Sequence, residues 1–276
     1  MSFNRRQAPQ TWRRCSLSWL ISRISAFAYR NYIFAIRNFF TMTEIFFWPV
    51  IGIISIGIMS GFLNLEPHYM NFLLAGAVIS GVLQVSQLDV AYGFLYDVWS
   101  KSTKQTYIAP VRNYDMIIGS WLIGAARGII AFAGLAVLAG AIFKFNLPEL
   151  KYLIPSLAGV YLTAMIIGIV VILSIMTFGQ RIDIIAWMLS VLMMLICGIY
   201  YPVTYLPAWL MKIAESLPLT YFLEYFRAGY GFELTFSHTL AKGFALSFVY
   251  IFVLFLLIEA AYRRAKRTGM LIRLSE

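Results

Sequence analysis

The sequence is poor in charged residues and in cysteine. Of its 276 residues, 12% are charged and 61% are hydrophobic. About a quarter of the residues of an ordinary globular domain are charged, so water cannot be the main solvent of this chain, and we expect one membrane domain. The two cysteines, Cys15 and Cys197, provide neither a disulfide framework nor a CxxC metal motif.

The sequence also lacks the motifs of several enzyme classes. It has no GxxxxGK(S/T) phosphate loop, so it does not bind ATP in that manner. Its serine, histidine and acidic residues form no recognisable catalytic cluster, which disfavours an intramembrane enzyme. The two histidines, His68 and His238, stand alone, whereas a metal site needs more ligands. We therefore predict no catalytic residues, no metal site and no cofactor in this chain.

What the sequence has instead is long apolar stretches. A helix that crosses about 30 Å of hydrocarbon needs roughly 20 apolar residues, and lipid leaves no alternative to a helix for such stretches. Six stretches meet this requirement: residues 45–65, 69–88, 116–143, 152–178, 184–201 and 243–262. The fold class predicted is an all-α polytopic membrane protein with six transmembrane helices in a domain over residues 45–262.

The positive charges predict how these spans are oriented. The net charge is +10, but the Lys and Arg residues occupy short segments between apolar runs, as topology signals do, which argues against a nucleic-acid partner. With both termini in the cytosol, most of them fall on the cytosolic side: Arg5, Arg6, Arg13, Arg14, Arg23, Arg30, Arg37, Lys101, Lys104, Arg112, Arg181, Arg263, Arg264, Lys266, Arg267 and Arg273. We expect residues 263–276 to form a basic cytosolic tail.

Residues 1–44 predict a helix that lies on the membrane rather than across it. Arginines from Arg5 to Arg37 interrupt the segment, which excludes a secretory signal. Apolar residues recur at helical spacing, namely Leu17, Leu20, Ile21, Ile24, Phe27 and Phe34. Arg23, Arg30 and Arg37 repeat on another face, and we expect them to contact lipid phosphates of the cytosolic headgroup layer. The alternative is a helix packed on a soluble partner.

Residues 203–238 are apolar and aromatic but are broken by proline and glycine. Residues 207–217 and 219–228 each predict a helix of only about 15 Å, which cannot cross the bilayer. We expect a pair of short re-entrant helices on the outer side, before the last span.

Three motifs within this framework resemble those of ABC-2 type transporter permeases. The specific one runs from Gly198-Ile-Tyr-Tyr-Pro-Val-Thr-Tyr-Leu-Pro-Ala-Trp-Leu through Pro218-Leu-Thr to Glu224-Tyr-Phe-Arg227. The second is Ile108-Ala-Pro-Val-Arg, and the third is Tyr29-Arg-Asn-Tyr together with Pro49. With the six-span pattern, the resemblance covers nearly the whole chain.

The resemblance implies the membrane subunit of an exporter in the bacterial inner membrane. Two such permeases pair, as a homodimer or a heterodimer, and two copies of a separate ABC ATPase, which carries ATP and Mg, dock from the cytosol. The expected substrate is amphipathic: a drug, a lipid or a lipid-linked glycan. The competing interpretation is a secondary transporter or channel without an ATPase, for which ionisable residues in several spans are typical.

The cytosolic loop over residues 94–115 is the predicted ATPase-coupling site, with a short helix that would fit a cleft on the ATPase. Its candidate residues combine aromatic and charged side chains: Tyr96, Asp97, Trp99, Lys101, Lys104 and Tyr107. A solvated loop with interfacial aromatics is the alternative. Buried aromatics often dominate interface energies, so Trp99 is the leading candidate.

Two further sets of residues are candidates within the membrane. Arg127 lies in the third predicted span, where an arginine is costly unless it faces protein or water. We expect it to face Gln84, Gln87 and Asp89 and to line the substrate path or the dimer seam, although a purely structural role is equally open. Gly124 and Gly128 suit close helix packing.

The outer segment contains the residues of a predicted outer gate: Pro202, Pro207, Trp209, Pro218, Glu224 and Arg227. Glu224 and Arg227 are three residues apart on one predicted helix, where an ion pair can form. A simple helix-stabilising pair at the membrane rim is the alternative.

Overall fold

A computed structural model describes residues 16–37, 39–179 and 184–269 of the chain. Within these ranges the chain is built of α-helices and contains no strand. The helices are α1 Ser16–Arg37, α2 Phe39–Phe62, α3 Pro67–Trp99, α4 Thr103–Ile108, α5 Asn113–Phe143, α6 Leu150–Phe178, α7 Ile185–Ile196, α8 Ala208–Ser216, α9 Pro218–Ala228 and α10 Thr239–Thr268. Cys15, Arg181, Arg273 and the arginines before Cys15 lie outside the described residues.

The protein is an all-helical polytopic membrane protein. Among the described residues, α3, α5, α6 and α10 are long and apolar enough to cross a membrane. Two shorter apolar helical stretches, Phe47–Phe62 within α2 and Ile185–Ile196, accompany them. The four long helices coincide with predicted spans.

The prediction for residues 184–201 was wrong in extent. Helix α7 has 12 residues, which at 1.5 Å per residue gives about 18 Å, well short of the hydrocarbon thickness. The chain leaves the helix at Cys197 and continues as irregular, buried backbone through Ile199. Irregular backbone is tolerated at membrane depth where protein covers it.

Helix α3 is the centre of the molecule. In its most apolar window 89% of the residues are buried, against 17% for α10, which is therefore peripheral. Helix α3 packs on α5, α6 and α2. The predicted role of Gly124 in close helix packing is confirmed: a Cβ at this position would lie 2.8 Å from the Ser86 carbonyl oxygen, so only glycine lets α5 approach α3 this closely.

Helix α1 lies against α5, α2 and α3 with Phe27 and Asn31 buried. The Asn31 side chain donates a 2.7 Å hydrogen bond to Ser120 Oγ on α5. The expectation that Arg23 and Arg30 contact lipid phosphates was wrong, because both side chains are ion-paired with carboxylates of the protein.

The two short helices predicted after residue 203 are confirmed as helices. Proline marks the start of each: Pro207 precedes α8 directly, and Pro218 is the first residue of α9. Proline suits the first turn because its φ angle is already helical and its missing N–H would have no partner there. Helix α9 packs on α6 and α10, so protein covers it on two sides.

Candidate functional site

Helix α4 forms the short connection between α3 and α5, and a buried carboxylate anchors its start. Asp97, near the end of α3, is 5% exposed. Its two carboxylate oxygens accept hydrogen bonds of 2.8 and 2.9 Å from Arg30 Nη1 on α1. They also accept bonds from Ser102 Oγ at 3.3 Å and Thr106 Oγ1 at 3.1 Å. One carboxylate therefore ties α1, α3 and α4 together.

A second arginine of α1 holds the other end of this connection. Arg23 Nε lies 3.3 Å from Asp115 Oδ2, and its Nη1 donates to the carbonyl oxygen of Pro110 at 3.2 Å. Asp115 in turn accepts a 2.9 Å bond from the backbone N–H of Arg112 and so caps the start of α5. Since Arg23 and Arg30 lie seven residues apart, one face of α1 clamps both ends of the segment that contains α4.

The surface formed by α4 and the residues that flank it is exposed and combines apolar with charged side chains. Trp99 is 48% exposed and Ile108 is 81% exposed, and Lys101 and Lys104 are exposed as well. The Trp99 ring contacts the rings of Tyr92 and Tyr96. We call Trp99, Lys101, Lys104 and Ile108 the α4 surface.

The other predicted coupling residues have internal positions. Asp97 is buried in the clamp, and Tyr96 is stacked on Phe34 of α1. The Tyr107 ring stacks on Tyr262 of α10, and its hydroxyl donates a 2.8 Å bond to Asn113 Oδ1. Burial raises the pKa of the Tyr107 phenol well above its ordinary value of 10. These three residues support the α4 surface rather than form it.

The structure gives different surroundings to the polar residues predicted to meet within the membrane, namely Arg127, Gln84, Gln87 and Asp89. Arg127 on α5 is ion-paired through Nη1 with Asp89 on α3, as expected for that partner. Gln87 instead donates a 2.9 Å bond from Nε2 to the Ala186 carbonyl on α7. For Gln87 the expectation that it faces Arg127 was wrong, because its amide is bonded to α7.

Gln84 lines a separate cavity of about 350 Å³ between α2, α3 and α7. Most of its other lining residues are aromatic or apolar, among them Trp48, Pro49, Trp187, Met194 and Tyr200. Trp48, which lines the cavity, is 53% exposed, so the cavity opens on the surface of the single chain.

Arg227 is a buried, hydrogen-bonded polar group of the segment after α7. It is 4% exposed and donates hydrogen bonds to the carbonyl oxygens of Gly198, at 2.7 Å, and Ile199. Its guanidinium also stacks on Phe72 of α3. Among the described residues, the predicted ion pair between Arg227 and Glu224 is not formed. Arg227 donates its hydrogen bonds to these two carbonyl oxygens instead, and Glu224 lies beside Thr235.

The remaining predicted gate residues differ in exposure. Pro202 is extended backbone that leads into a short 3-10 turn, Val203–Tyr205. Trp209 on α8 is 66% exposed, whereas Pro218 is buried.

The two histidines, His68 and His238, lie in different surroundings. The His68 ring stacks on Phe232 with 3.9 Å between ring centres, and His238 precedes α10. The described residues contain no group of three metal-ligating side chains.

A known family matches most of this architecture. The sequence model of the family described as "ABC-2 type transporter" matches residues 24–230. The match runs from the middle of α1 past the end of α9, and it contains the α4 surface and Arg227. The chain belongs to the ABC-2 type transporter family.

Individual relatives agree with this family. The "Inner membrane transport permease YadH" of Escherichia coli (strain K12) is 26% identical over 229 residues, which cover 82% of this chain and 85% of YadH. The YadH of Shigella flexneri matches to the same extent. An uncharacterized protein of Archaeoglobus fulgidus is 43% identical over 51 residues, 18% of this chain and 80% of that protein.

Sequence reasoning named Arg23, Arg30 and Arg227 of this ABC-2 family chain but missed their partners. The seven-residue spacing of Arg23 and Arg30 was visible in the sequence. This spacing does not indicate whether the partner of each arginine is a protein carboxylate or a lipid phosphate. The bonds from Arg227 to Gly198 and Ile199 had one signal only, namely that a buried arginine after a broken apolar run needs acceptors.

Proposed function

We propose that the chain is the transmembrane permease subunit of an ATP-binding-cassette exporter in a bacterial inner membrane. It moves an amphipathic substrate (a drug, a lipid or a lipid-linked glycan) outwards with energy from ATP that a separate ATPase hydrolyses. Two permease copies, as a homodimer or a heterodimer, pair with two ATPase copies. Family membership supports this proposal, and the name of the YadH relatives supports both transport and the inner membrane.

The proposed topology has six crossings with both termini in the cytosol. Helices α2, α3, α5, α6 and α10 each cross the membrane. Helix α7, the buried backbone that follows it, and α8 and α9 together make the remaining crossing and an outer re-entrant pair. The excess of Lys and Arg around α1, α4 and the end of α10 supports this orientation. Helix α1 then lies at the cytosolic boundary.

The α4 surface is the proposed ATPase contact, and its clamped position is the observation that carries the proposal. A coupling element must transmit motion, so it must be exposed to the partner and rigidly tied to the spans. Trp99 and Ile108 supply exposed apolar area, while Asp97, with its arginine and hydroxyl donors, ties α4 to α1 and α3. Movement imposed on α4 would therefore reach α1, α3 and α5 together.

The cavity beside Gln84 is the proposed substrate path. Its aromatic and apolar lining with one amide suits an amphipathic molecule. Because it opens on the surface of one chain, a second permease copy packed on α2 and α7 would close it and form the dimer seam. Arg127, paired with Asp89 on another side of α3, has a structural role in this arrangement. The segment around Pro202, Pro207 and Trp209 is the proposed outer gate.

Co-purification with an ABC ATPase encoded beside this chain tests the proposal. We expect a detergent-stable complex with ATPase activity, and amphipathic compounds of the transported class should stimulate that activity. Trp99→Ala should weaken the complex by about 2 kcal/mol or more. Trp209→Ala removes a tryptophan on the proposed outer side that is 66% exposed, against 48% for Trp99. It is the control and should leave the complex intact. A chain that transports without binding any ATPase would establish the secondary transporter or channel instead.

A further inference from the structure

A cavity of about 750 Å³ lies between the first turns of α5 and the C-terminal half of α10. Ligand sites in proteins commonly measure about 300–1,000 Å³. The groove exists because the two helices pack on different neighbours, α5 on α3 and α1, and α10 on α6 and α9. It shares no lining residue with the cavity beside Gln84.

The lining changes from apolar to charged along the groove. Phe252, Phe255 and Leu256 line it on α10, and Glu259 and Arg263 follow within two turns on the same helix. On α5 the order is mirrored, with Arg112 at the start of the helix and Ile118 deeper in its apolar part. Both helices therefore pass from polar to apolar at the same level, as at a membrane surface.

The apolar part of the groove faces outwards. Phe252 is 66% exposed and Leu256 is 58% exposed, and neighbouring exposed apolar side chains of this kind mark a surface that contacts lipid or another apolar partner. The inner wall is the stacked pair Tyr107 and Tyr262, 4.9 Å between ring centres. An occupant must therefore be apolar along one end and able to reach the charged end.

The charged end favours a single negative charge. Arg263 Nε donates a 3.0 Å bond to Glu259, and none of the described residues accepts a bond from its terminal amino groups. Arg112 Nη1 donates to the Tyr114 hydroxyl at 3.0 Å. Two arginines and one carboxylate leave an excess of one positive charge, to which the N-terminus of α5 adds a partial positive charge.

We propose that this groove binds one anionic phospholipid of the cytosolic leaflet. The phosphate is held by Arg112 and Arg263, which present the planar donors that suit phosphate oxygens. The acyl chains lie along Phe252, Phe255 and Leu256. The site goes beyond the transport function. It needs only that this end of the molecule lies at headgroup level and does not depend on the ATPase partner.

Native mass spectrometry of the purified full chain with defined lipids tests the site. In micelles supplied with phosphatidylglycerol, we expect one lipid retained per chain. R112Q/R263Q should reduce the retained fraction about tenfold or more, since each basic group near a membrane surface contributes roughly a fivefold factor. R264Q/R267Q is the matched control, with the same loss of charge at two exposed positions of α10 outside the groove, and it should retain the lipid.

A second variant tests the apolar part of the groove with its charges intact. Leu256→Trp places a bulky indole ring where the acyl chains should lie, and we expect it to reduce lipid retention as well. Equal losses from R112Q/R263Q and R264Q/R267Q would overturn the proposal, and so would equal retention of phosphatidylcholine or phosphatidylethanolamine. Displacement of the lipid by millimolar inorganic phosphate or glycerol phosphate would show an anion site only and would also overturn it. None of these results bears on ATPase binding, because no ATPase is present.

Discussion

The guanidinium carbon of Arg227 lies 3.6 Å from the centre of the Phe72 ring, so that a charge of α9 is held against α3. The same guanidinium donates to the carbonyl oxygens of Gly198 and Ile199, just after α7 ends. Gly76, one turn along α3 from Phe72, has no side chain, and a Cβ there would collide with the Ile199 carbonyl. One side chain thus satisfies the backbone where the apolar run breaks.

Replacing Arg227 should destabilise the protein strongly. Arg227→Met keeps a long apolar stem but leaves two buried carbonyls without donors, at about 1–3 kcal/mol each. We expect the thermal unfolding midpoint in detergent, followed by intrinsic fluorescence, to fall by at least about 5 °C. Arg264→Met, an exposed arginine on α10, should change it little. An unchanged midpoint for Arg227→Met would show that these carbonyls find other donors.

The clamp of α1 on α4 predicts where local opening should increase. Arg30→Met removes the partner of the buried Asp97 carboxylate and one of the ties between α1 and α4. We expect amide hydrogens of residues 100–108 to exchange faster, because local stability sets their protection. Hydrogen–deuterium exchange with mass spectrometry measures this.

Arg37→Met is the control for the clamp, since Arg37 is an exposed arginine of the same helix. It should leave exchange over residues 100–108 unchanged. If both variants exchange alike, α4 is held by its ring contacts rather than by the Arg30–Asp97 pair.

The Arg127–Asp89 pair predicts a non-additive response to mutation. Arg127→Leu or Asp89→Leu alone leaves one charge at membrane depth, which is costly. Removing both leaves none, so the double variant should recover much of the folded yield lost in either single variant. Size-exclusion chromatography of a fluorescent fusion measures the yield.

Gln84→Leu is the matched control for this pair, because Gln84 lies on α3 but lines the cavity instead. Its folded yield should be close to that of the unmodified protein. Additive losses in the double variant would show that the two charges act independently. If Arg127→Leu left both transport and assembly unchanged, neither a structural nor a path-lining role would remain for it.

The elements that could be predicted are those whose cause is local. Helices α3, α5, α6 and α10 follow from long, predominantly apolar runs, and α8 and α9 follow from Pro207 and Pro218 at their starts. The short helix within the 94–115 loop was also predicted, and Thr103–Ile108 confirms it.

The elements that could not be predicted depend on distant partners. Residues 197–201 remain apolar, so hydropathy does not show the end of α7 at Ile196. The local signal is Gly198, whose φ is +67°, and Arg227 supplies donors to the carbonyls that follow. The choice of Asp89 over Gln87 as the partner of Arg127 depends on the rotation of α3. That rotation follows from the close approach of Gly124 to Ser86, which a single sequence does not reveal.

The proposed topology makes the sharpest prediction for the segment proposed to lie on the outer side. In a chain whose cysteines are replaced (Cys15→Ser and Cys197→Ala), a single cysteine at Lys212, an exposed residue of α8, should react with a membrane-impermeant maleimide added to intact spheroplasts. A single cysteine at Lys104, on the α4 surface, should react only after the membrane is opened. Because both side chains are exposed, any difference in labelling between the two positions reports the side of the membrane on which each one lies. Labelling of the Lys212 position only from the cytosolic side would place α8 and α4 on the same side, which would overturn the outer gate and the exporter topology together.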